Sequence, residues 1–169
     1  MVYKDFLSLE ELAKINVVQP NNQWWVEGTT NDSSDSRVVN TYDITGTFNW
    51  LDVKVFSFIK NLNLVYDINK INETKLLKYS PGGKYDWHQD VLWNRKLHRK
   101  FTYIIQLTDK EEYEGGNFEF RDANNIDMTY SRDKGTIIIF PSILYHRITP
   151  IIKGHRRSIV GWVVGPQWK

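Results

Sequence analysis

His88-Gln89-Asp90 and His146 bring together the residue types that hold a transition metal, two imidazoles and a carboxylate. Three such ligands on one face of an ion leave the opposite positions open to a co-substrate and oxygen, an arrangement that suits iron-dependent oxidation. The same set with one open position also suits zinc and a bound water. If Lys84 to Asp90 is extended, residues two apart point the same way, so His88 and Asp90 can grip one ion from one strand end. His146 suits the third ligand, because it follows the apolar run Thr136 to Phe140 and a Pro141-Ser142 turn that brings the chain to a strand end. A His-x-Asp tripeptide alone is common, so the weight rests on its partners.

Arg156 and Ser158 are such partners. A planar, permanently charged guanidinium holds a carboxylate through two parallel hydrogen bonds, where a lysine offers only a point charge. In an extended Arg156-Arg157-Ser158, Arg156 and Ser158 share a face, so the serine hydroxyl can join the same carboxylate while Arg157 points away. Trp162 keeps the same parity and looks into the same cavity if no bulge intervenes; plain core packing is its other reading. Thr102 and Gln106 lie on one face of Phe101 to Leu107, opposite Phe101, Tyr103, Ile105 and Leu107. That polar face is either lumen or solvent.

The order of these motifs is itself specific. Tyr79-Ser-Pro-Gly82-Gly-Lys-Tyr85-Asp-Trp-His88-Gln-Asp90 fits Tyr-x-x-Gly-x-x-Tyr-x-x-His-x-Asp, and Phe140-Pro-Ser142 through His146-Arg-Ile-Thr-Pro150 leads into Gly154-His-Arg156-Arg-Ser158. This resembles the 2-oxoglutarate and Fe(II)-dependent oxygenases of the prolyl 4-hydroxylase-like superfamily, in particular the small stand-alone bacterial and phage branch of PKHD-type hydroxylases. The resemblance runs from about Lys75 to Pro166. It implies that His88, Asp90 and His146 are the iron ligands and catalytic centre, and that Arg156 pairs with the distal carboxylate of 2-oxoglutarate. Many relatives have lysine at that place. Ser158, Tyr79, Gln106, Thr102 and Trp162 complete the expected co-substrate pocket, with the Tyr79 phenol donating to the carboxylate. Gln106 stands where many relatives have a tyrosine. The implied cofactors are Fe(II) and 2-oxoglutarate, with ascorbate as the accessory reductant that the resemblance brings along.

The strand spacing suits a sandwich or barrel, and with the resemblance the expected fold is mainly β with supporting α-helices, a double-stranded β-helix or jelly-roll barrel of the kind cupins also use. Short β-rich runs follow Glu73: Lys75 to Tyr79, Lys84 to His88, Phe101 to Leu107, Asn117 to Arg121, Thr136 to Phe140, His146 to Pro150 and Ser158 to Val164. Gly115-Gly116 reads as the turn before a buried strand. Ahead of them, Ser8 and Glu11 form a capping box before Leu9, Leu12 and Ile15, and Phe48, Leu51, Val55, Phe58, Ile59 and Leu62 recur at helical spacing. With 169 residues the chain reads as one domain over 1–169, its 1–72 a helical entry and support segment and its 73–169 the catalytic jelly-roll core. Thr29 to Ser36 reads as an exposed loop, either a lid or an ordinary connection.

Composition narrows the partners. Aromatic residues make up 14% of the chain, including seven tryptophans, enough to wall a deep pocket. With no cysteine there are neither disulfides nor thiolate metal sites, which fits a cytoplasmic setting and leaves histidine and carboxylate as ligands. Neither a signal pattern at the amino terminus nor an apolar run of membrane-spanning length is present. A formal charge of +2 gives no reason to expect nucleic acid. The cluster Arg95-Lys-Leu-His-Arg-Lys100 reads as a solvated loop, with the mouth of an anion-attracting pocket as its alternative.

The implied reaction is hydroxylation of a C–H bond with release of succinate and CO2, the expected substrate being a prolyl residue in a peptide or protein. The same chemistry on a free amino acid, another small molecule or a nucleobase is the alternative. A zinc-dependent hydrolase and a non-catalytic jelly-roll module are the readings from other classes. Arg156 with Ser158 weighs against the hydrolase, because simple hydrolysis has no use for a dicarboxylate anchor.

Overall fold

Alternation along three long strands decides the architecture. The structure, a computed structural model, describes residues 1–18, 20, 26–27, 36–62, 65–121 and 127–168, with the backbone alone for 26–27 and 127–129. The strands are β1 (Val2–Tyr3), β2 (Val26–Glu27), β3 (Arg37–Val38), β4 (Asn40–Asp43), β5 (Lys70–Tyr79), β6 (Lys84–His88) and β7 (His98–Gln106). They continue as β8 (Tyr113–Gly115), β9 (Phe118–Arg121), β10 (Asp127–Thr129), β11 (Ile137–Pro141), β12 (His146–Ile148), β13 (Ile151–Gly154) and β14 (Arg156–Gly165). A seven-stranded sheet runs β1-β11-β7-β14-β5-β4-β2, a five-stranded sheet runs β10-β9-β12-β6-β3, and β13 pairs with β8. Every pairing among the described residues is antiparallel.

The larger sheet is buried on both faces, which is why β7, β11 and β14 read as nearly continuous apolar runs. Phe101, Tyr103, Ile105, Ile137, Ile139, Ile159 and Val163 belong to a cluster with Leu51, Val55 and Ile59 of helix α2 (Asn49–Asn61) and with Leu12 and Ile15 of helix α1 (Leu9–Asn16). Their neighbours of opposite parity, Ile104, Ile138, Phe140, Val160 and Trp162, pack with Phe118, Phe120 and Ile148 of the smaller sheet. The two sheets therefore enclose an inner core and the helices cover the outside of the larger one, as a jelly roll requires.

Both helices stand where the capping and spacing signals predict them. Ser8 Oγ accepts from the Glu11 amide, and the Glu11 carboxylate accepts from the Ser8 amide, closing the capping box. Glu11 also pairs with Lys54 at 2.7 Å, tying α1 to α2. Leu9, expected on the buried stripe, is exposed. No helix among the described residues is long and apolar enough to cross a membrane.

The first 72 residues do more than support the barrel. β1 extends the larger sheet beside β11, β4 extends it beside β5, and β3 edges the smaller sheet beside β6. Strands of two to four residues carry too little alternation to be read from sequence. The Gly115-Gly116 turn is as expected: both residues have positive φ, and a Cβ on Gly115 would lie 2.2 Å from the Pro150 carbonyl oxygen. Of the loop expected at Thr29 to Ser36, residues 29–35 lie outside the described residues.

The basic cluster is not a solvated loop along its whole length. His98, Arg99 and Lys100 belong to β7. His98, 4% exposed, accepts from the Trp168 amide through Nδ1 and contacts the Trp93 carbonyl through Nε2. Lys100 lies over the Trp168 ring at 3.6 Å, and Arg99 pairs with Glu73 at 2.8 Å. Arg95 and Lys96 line, with Arg99, Asp43 and Glu73, a broad surface groove of about 790 Å³.

Candidate active site

Register places the two histidines. β6 and β12 pair with His88 directly opposite His146, and both imidazoles point into the space between the sheets. Asp90 follows His88 just beyond the strand end, held by its amide on the Ser142 carbonyl at 2.9 Å. The Gln89 side chain donates to the Ile143 carbonyl, which fastens the same two turns together. His88 Nε2 lies 3.6 Å from one Asp90 oxygen, and His146 Nε2 lies 3.5 Å from the other. The three ligand atoms lie within 4.8 Å of one another. That is a compact three-point grip for one ion.

The donor chemistry fits a metal. Each imidazole has its Nδ1 on a main-chain carbonyl two residues back, His88 on Asp86 at 2.7 Å and His146 on Leu144 at 2.9 Å. A carbonyl only accepts, so both Nδ1 atoms carry the proton and both Nε2 lone pairs face the centre. Burial pushes the His88 pKa down to about 4, with His146 beside it adding to the effect; the ring is neutral, as a ligand must be. Burial works to raise the Asp90 carboxyl. His146, His88 and the Thr102 hydroxyl outweigh it and hold the group below the usual carboxylate range.

Behind the ligands, Thr102 donates to Asp90 Oδ2 at 2.7 Å and meets the Ser142 hydroxyl at 3.0 Å. Tyr85 stacks on His88 with ring centroids 3.5 Å apart. Phe118, Phe120 and Phe140 surround the His146 ring. These contacts fix ligand orientation and keep water from the buried side.

Arg156 is buried to 1% exposure on the same inner face of the larger sheet. It donates to the Ser158 hydroxyl at 3.1 Å and to the Gln106 amide oxygen at 3.0 Å, both neutral acceptors, and its Nε has no partner. No carboxylate among the described residues lies within ion-pair distance. A buried guanidinium left without an anion is costly, so the geometry suits a bound carboxylate. Tyr79 sits across the register from Arg156, its ring 5.5 Å from the guanidinium. Burial raises its phenol, which therefore stays a donor.

Tyr79, His88, Asp90, His146, Arg156, Ser158 and Trp162 line one cavity, which sequence parity anticipates. Trp162 keeps its inward face because the β14 bulge begins only after it, and Arg99 stacks on its outer side at 3.7 Å. Thr102 and Gln106 are inside the barrel but one layer back, the first bracing Asp90 and the second bracing Arg156. Sequence reasoning missed Arg37, which lines the cavity, and Ser142, which closes the Thr102 chain. Ser142 had a signal, its place in the Pro-Ser turn that leads to His146. Arg37 had none, lying beside a polar stretch that carries no motif.

The model of the 2OG-Fe(II) oxygenase superfamily matches residues 74–164, more than half of the chain. The chain belongs to that superfamily, whose cofactors are Fe(II) and 2-oxoglutarate. A PKHD-type hydroxylase of Synechococcus sp. (strain CC9605) is 28% identical over 105 residues, which cover 62% of this chain and 46% of the relative. The chain spans about half the length of the curated relatives it matches. Among solved structures, a prolyl-4-hydroxylase of Pseudomonas putida superposes with a TM-score of 0.73 at 16% identity, covering 99% of this chain and 92% of that one. A prolyl hydroxylase from Trichoplax adhaerens, solved with a hypoxia inducible factor oxygen degradation domain peptide fragment, gives 0.77 at 18% identity, covering 96% and 82%. These likenesses show the jelly-roll fold.

Proposed function

We propose that the protein is a 2-oxoglutarate-dependent dioxygenase that hydroxylates a C–H bond, with a prolyl residue of a peptide or protein as its substrate and succinate and CO2 as its other products. The observation that carries the reading is the pairing, in one cavity, of the His88-Asp90-His146 grip with a buried guanidinium that has no anion of its own. A metal hydrolase has no use for the second element.

In this reading His88, Asp90 and His146 hold Fe(II) through Nε2, a carboxylate oxygen and Nε2. Arg156, steadied by Gln106 and joined by Ser158, takes the far carboxylate of 2-oxoglutarate, and the Tyr79 phenol donates to it. Bound together, iron and 2-oxoglutarate supply the oxidising power for the C–H bond. Trp162, Phe118 and Ile148 line the cavity and exclude water. Thr102 keeps the Asp90 carboxylate turned toward the ion. The Trichoplax adhaerens complex, with its bound peptide fragment, supports an extended peptide as substrate. Ascorbate, as accessory reductant, belongs to the same proposal.

The test is an anaerobic titration of the protein with Fe(II) and 2-oxoglutarate, watching for the weak visible charge-transfer band. The band should appear in the wild type and be absent in His146→Ala; a wild type without it sinks the reading. Arg156→Ala should weaken 2-oxoglutarate far more than iron. A proline-containing peptide library, read by mass spectrometry for an added oxygen, then addresses the substrate.

A further inference from the structure

A second guanidinium lines the cavity, and the function proposed above gives it no role. Arg37, on β3, pairs in register with Tyr85 on β6. Its guanidinium lies 4.7 Å from the Tyr85 ring centroid, and that ring stacks on His88, so cation, phenol and imidazole form three layers ending at the metal grip. Arg37 lines the same cavity as the three ligands and Arg156. Its Nε is buried without a partner, and among the described residues no carboxylate lies within ion-pair distance of it.

Charge decides what this arginine is for. Among the described residues the charged side chains lining the cavity are Arg37, Arg156 and Asp90, and both histidines spend Nδ1 on a main-chain carbonyl. Asp90 offsets one guanidinium. Divalent iron and the dianionic co-substrate offset each other, which leaves one positive charge unmatched at the half-buried Arg37, on the edge of a largely apolar cavity. Stacking on Tyr85 accounts for one face of the guanidinium but leaves Nε without a partner, and the in-plane donors of a guanidinium suit a carboxylate.

We propose that Arg37 is a specificity-determining residue that receives a carboxylate of the substrate itself, carried close to the C–H bond that reacts. The inference rests on the oxygenase reading above and narrows its substrate class. The target is a chain-terminal or free amino-acid carboxylate next to the reacting residue, or an Asp or Glu side chain beside it. A neutral internal prolyl segment lacks this group.

Matched pairs test it. The full chain is loaded anaerobically with Fe(II) and 2-oxoglutarate, and the probes are proline against prolinamide for a terminal carboxylate, and N-acetylated Asp-Pro against Asn-Pro peptide amides for a side-chain one. Binding is read by calorimetry and by perturbation of the visible band. In the wild type one acidic member should bind roughly 10- to 100-fold tighter than its amide twin, the range of a charge-assisted pair. Arg37→Gln should abolish that difference while the Fe(II)/2-oxoglutarate band stays, and Arg37→Lys should recover part of it. Equal responses within both pairs, zero response included, overturn the proposal, as does a difference that survives Arg37→Gln. A wild type that never develops the band overturns the oxygenase reading and this inference with it.

Discussion

The two faces of the larger sheet are equally buried and chemically opposite. On the helix-facing side Phe101, Tyr103, Ile105, Ile139 and Ile159 meet α1 and α2 in an apolar layer. One residue along the same strands, Thr102, Gln106, Arg156 and Ser158 turn polar groups into the barrel. Polar atoms on the helix-facing side close on one another: Thr74 donates to Asp52 and meets the Tyr103 hydroxyl at 3.0 Å. Around the cavity, Nε of Arg156, Nε2 of Gln106, Nε1 of Trp162 and Nε of Arg37 have no partner. Burial alone therefore does not mark the working face. Unfinished hydrogen bonding gathers around the cavity, whereas on the helix-facing parity of β14 Nη2 of Arg157 lacks a partner while its Nη1 reaches Asn16 of α1.

Substitutions of the two faces should separate binding from stability. The largest effect falls on His146→Ala, which removes a ligand and should lower Fe(II) affinity by more than the roughly 100-fold upper range for loss of an outer-shell partner, measured by metal titration. On the other face Ile105→Ala should cost about 2–5 kcal/mol in denaturant unfolding, while the folded fraction binds Fe(II) and 2-oxoglutarate as before. If both variants lose binding and stability in parallel, the division between the faces fails. Thr102→Val keeps the volume and removes the hydroxyl on Asp90; metal affinity should drop about 10- to 100-fold with little change in 2-oxoglutarate affinity at saturating metal. Gln106→Leu takes an acceptor from Arg156 and should weaken 2-oxoglutarate roughly tenfold, the worth of one hydrogen bond to a charged group, leaving iron unchanged.

The smallest effect is a titration. Burial raises the Tyr103 phenol above its ordinary value of 10.0. A group whose folded pKa is raised contributes stability that is complete below the unfolded pKa and is lost as pH climbs through it toward the folded value. Wild-type stability should therefore fall with pH above about 10, and Tyr103→Phe should fall less steeply in alkaline unfolding. Parallel slopes would remove Tyr103 from the account.

What could be read in advance followed chain-local rules. The His-x-Asp spacing, the Arg156 to Trp162 parity and the α2 stripe each depend on one strand or one helix, and each has its expected place in the structure. Residues whose surroundings come from far along the chain were harder. His98 to Lys100 looked like a solvated run, because nothing nearby announces that Arg99 will meet Glu73 or that Lys100 will lie over Trp168. Thr102 and Gln106 were legible as one polar face of β7, lumen or solvent. Their task of bracing Asp90 and Arg156 was not, since it depends on how β7 registers against β11 and β14. Arg37 reaches the cavity through a strand of two residues, too short for any periodicity.

Each metal-facing histidine takes its orientation from a carbonyl of its own main chain, Asp86 for one and Leu144 for the other. No side-chain substitution can delete a carbonyl, so the choice of tautomer travels with the strand ends and is sheltered from point mutation. The walls of the cavity have no such shelter, because Arg37, Tyr85 and Trp162 act through side chains that one codon can replace. Drift in this protein can thus redraw what enters the barrel while the Nδ1 partner of each histidine is kept.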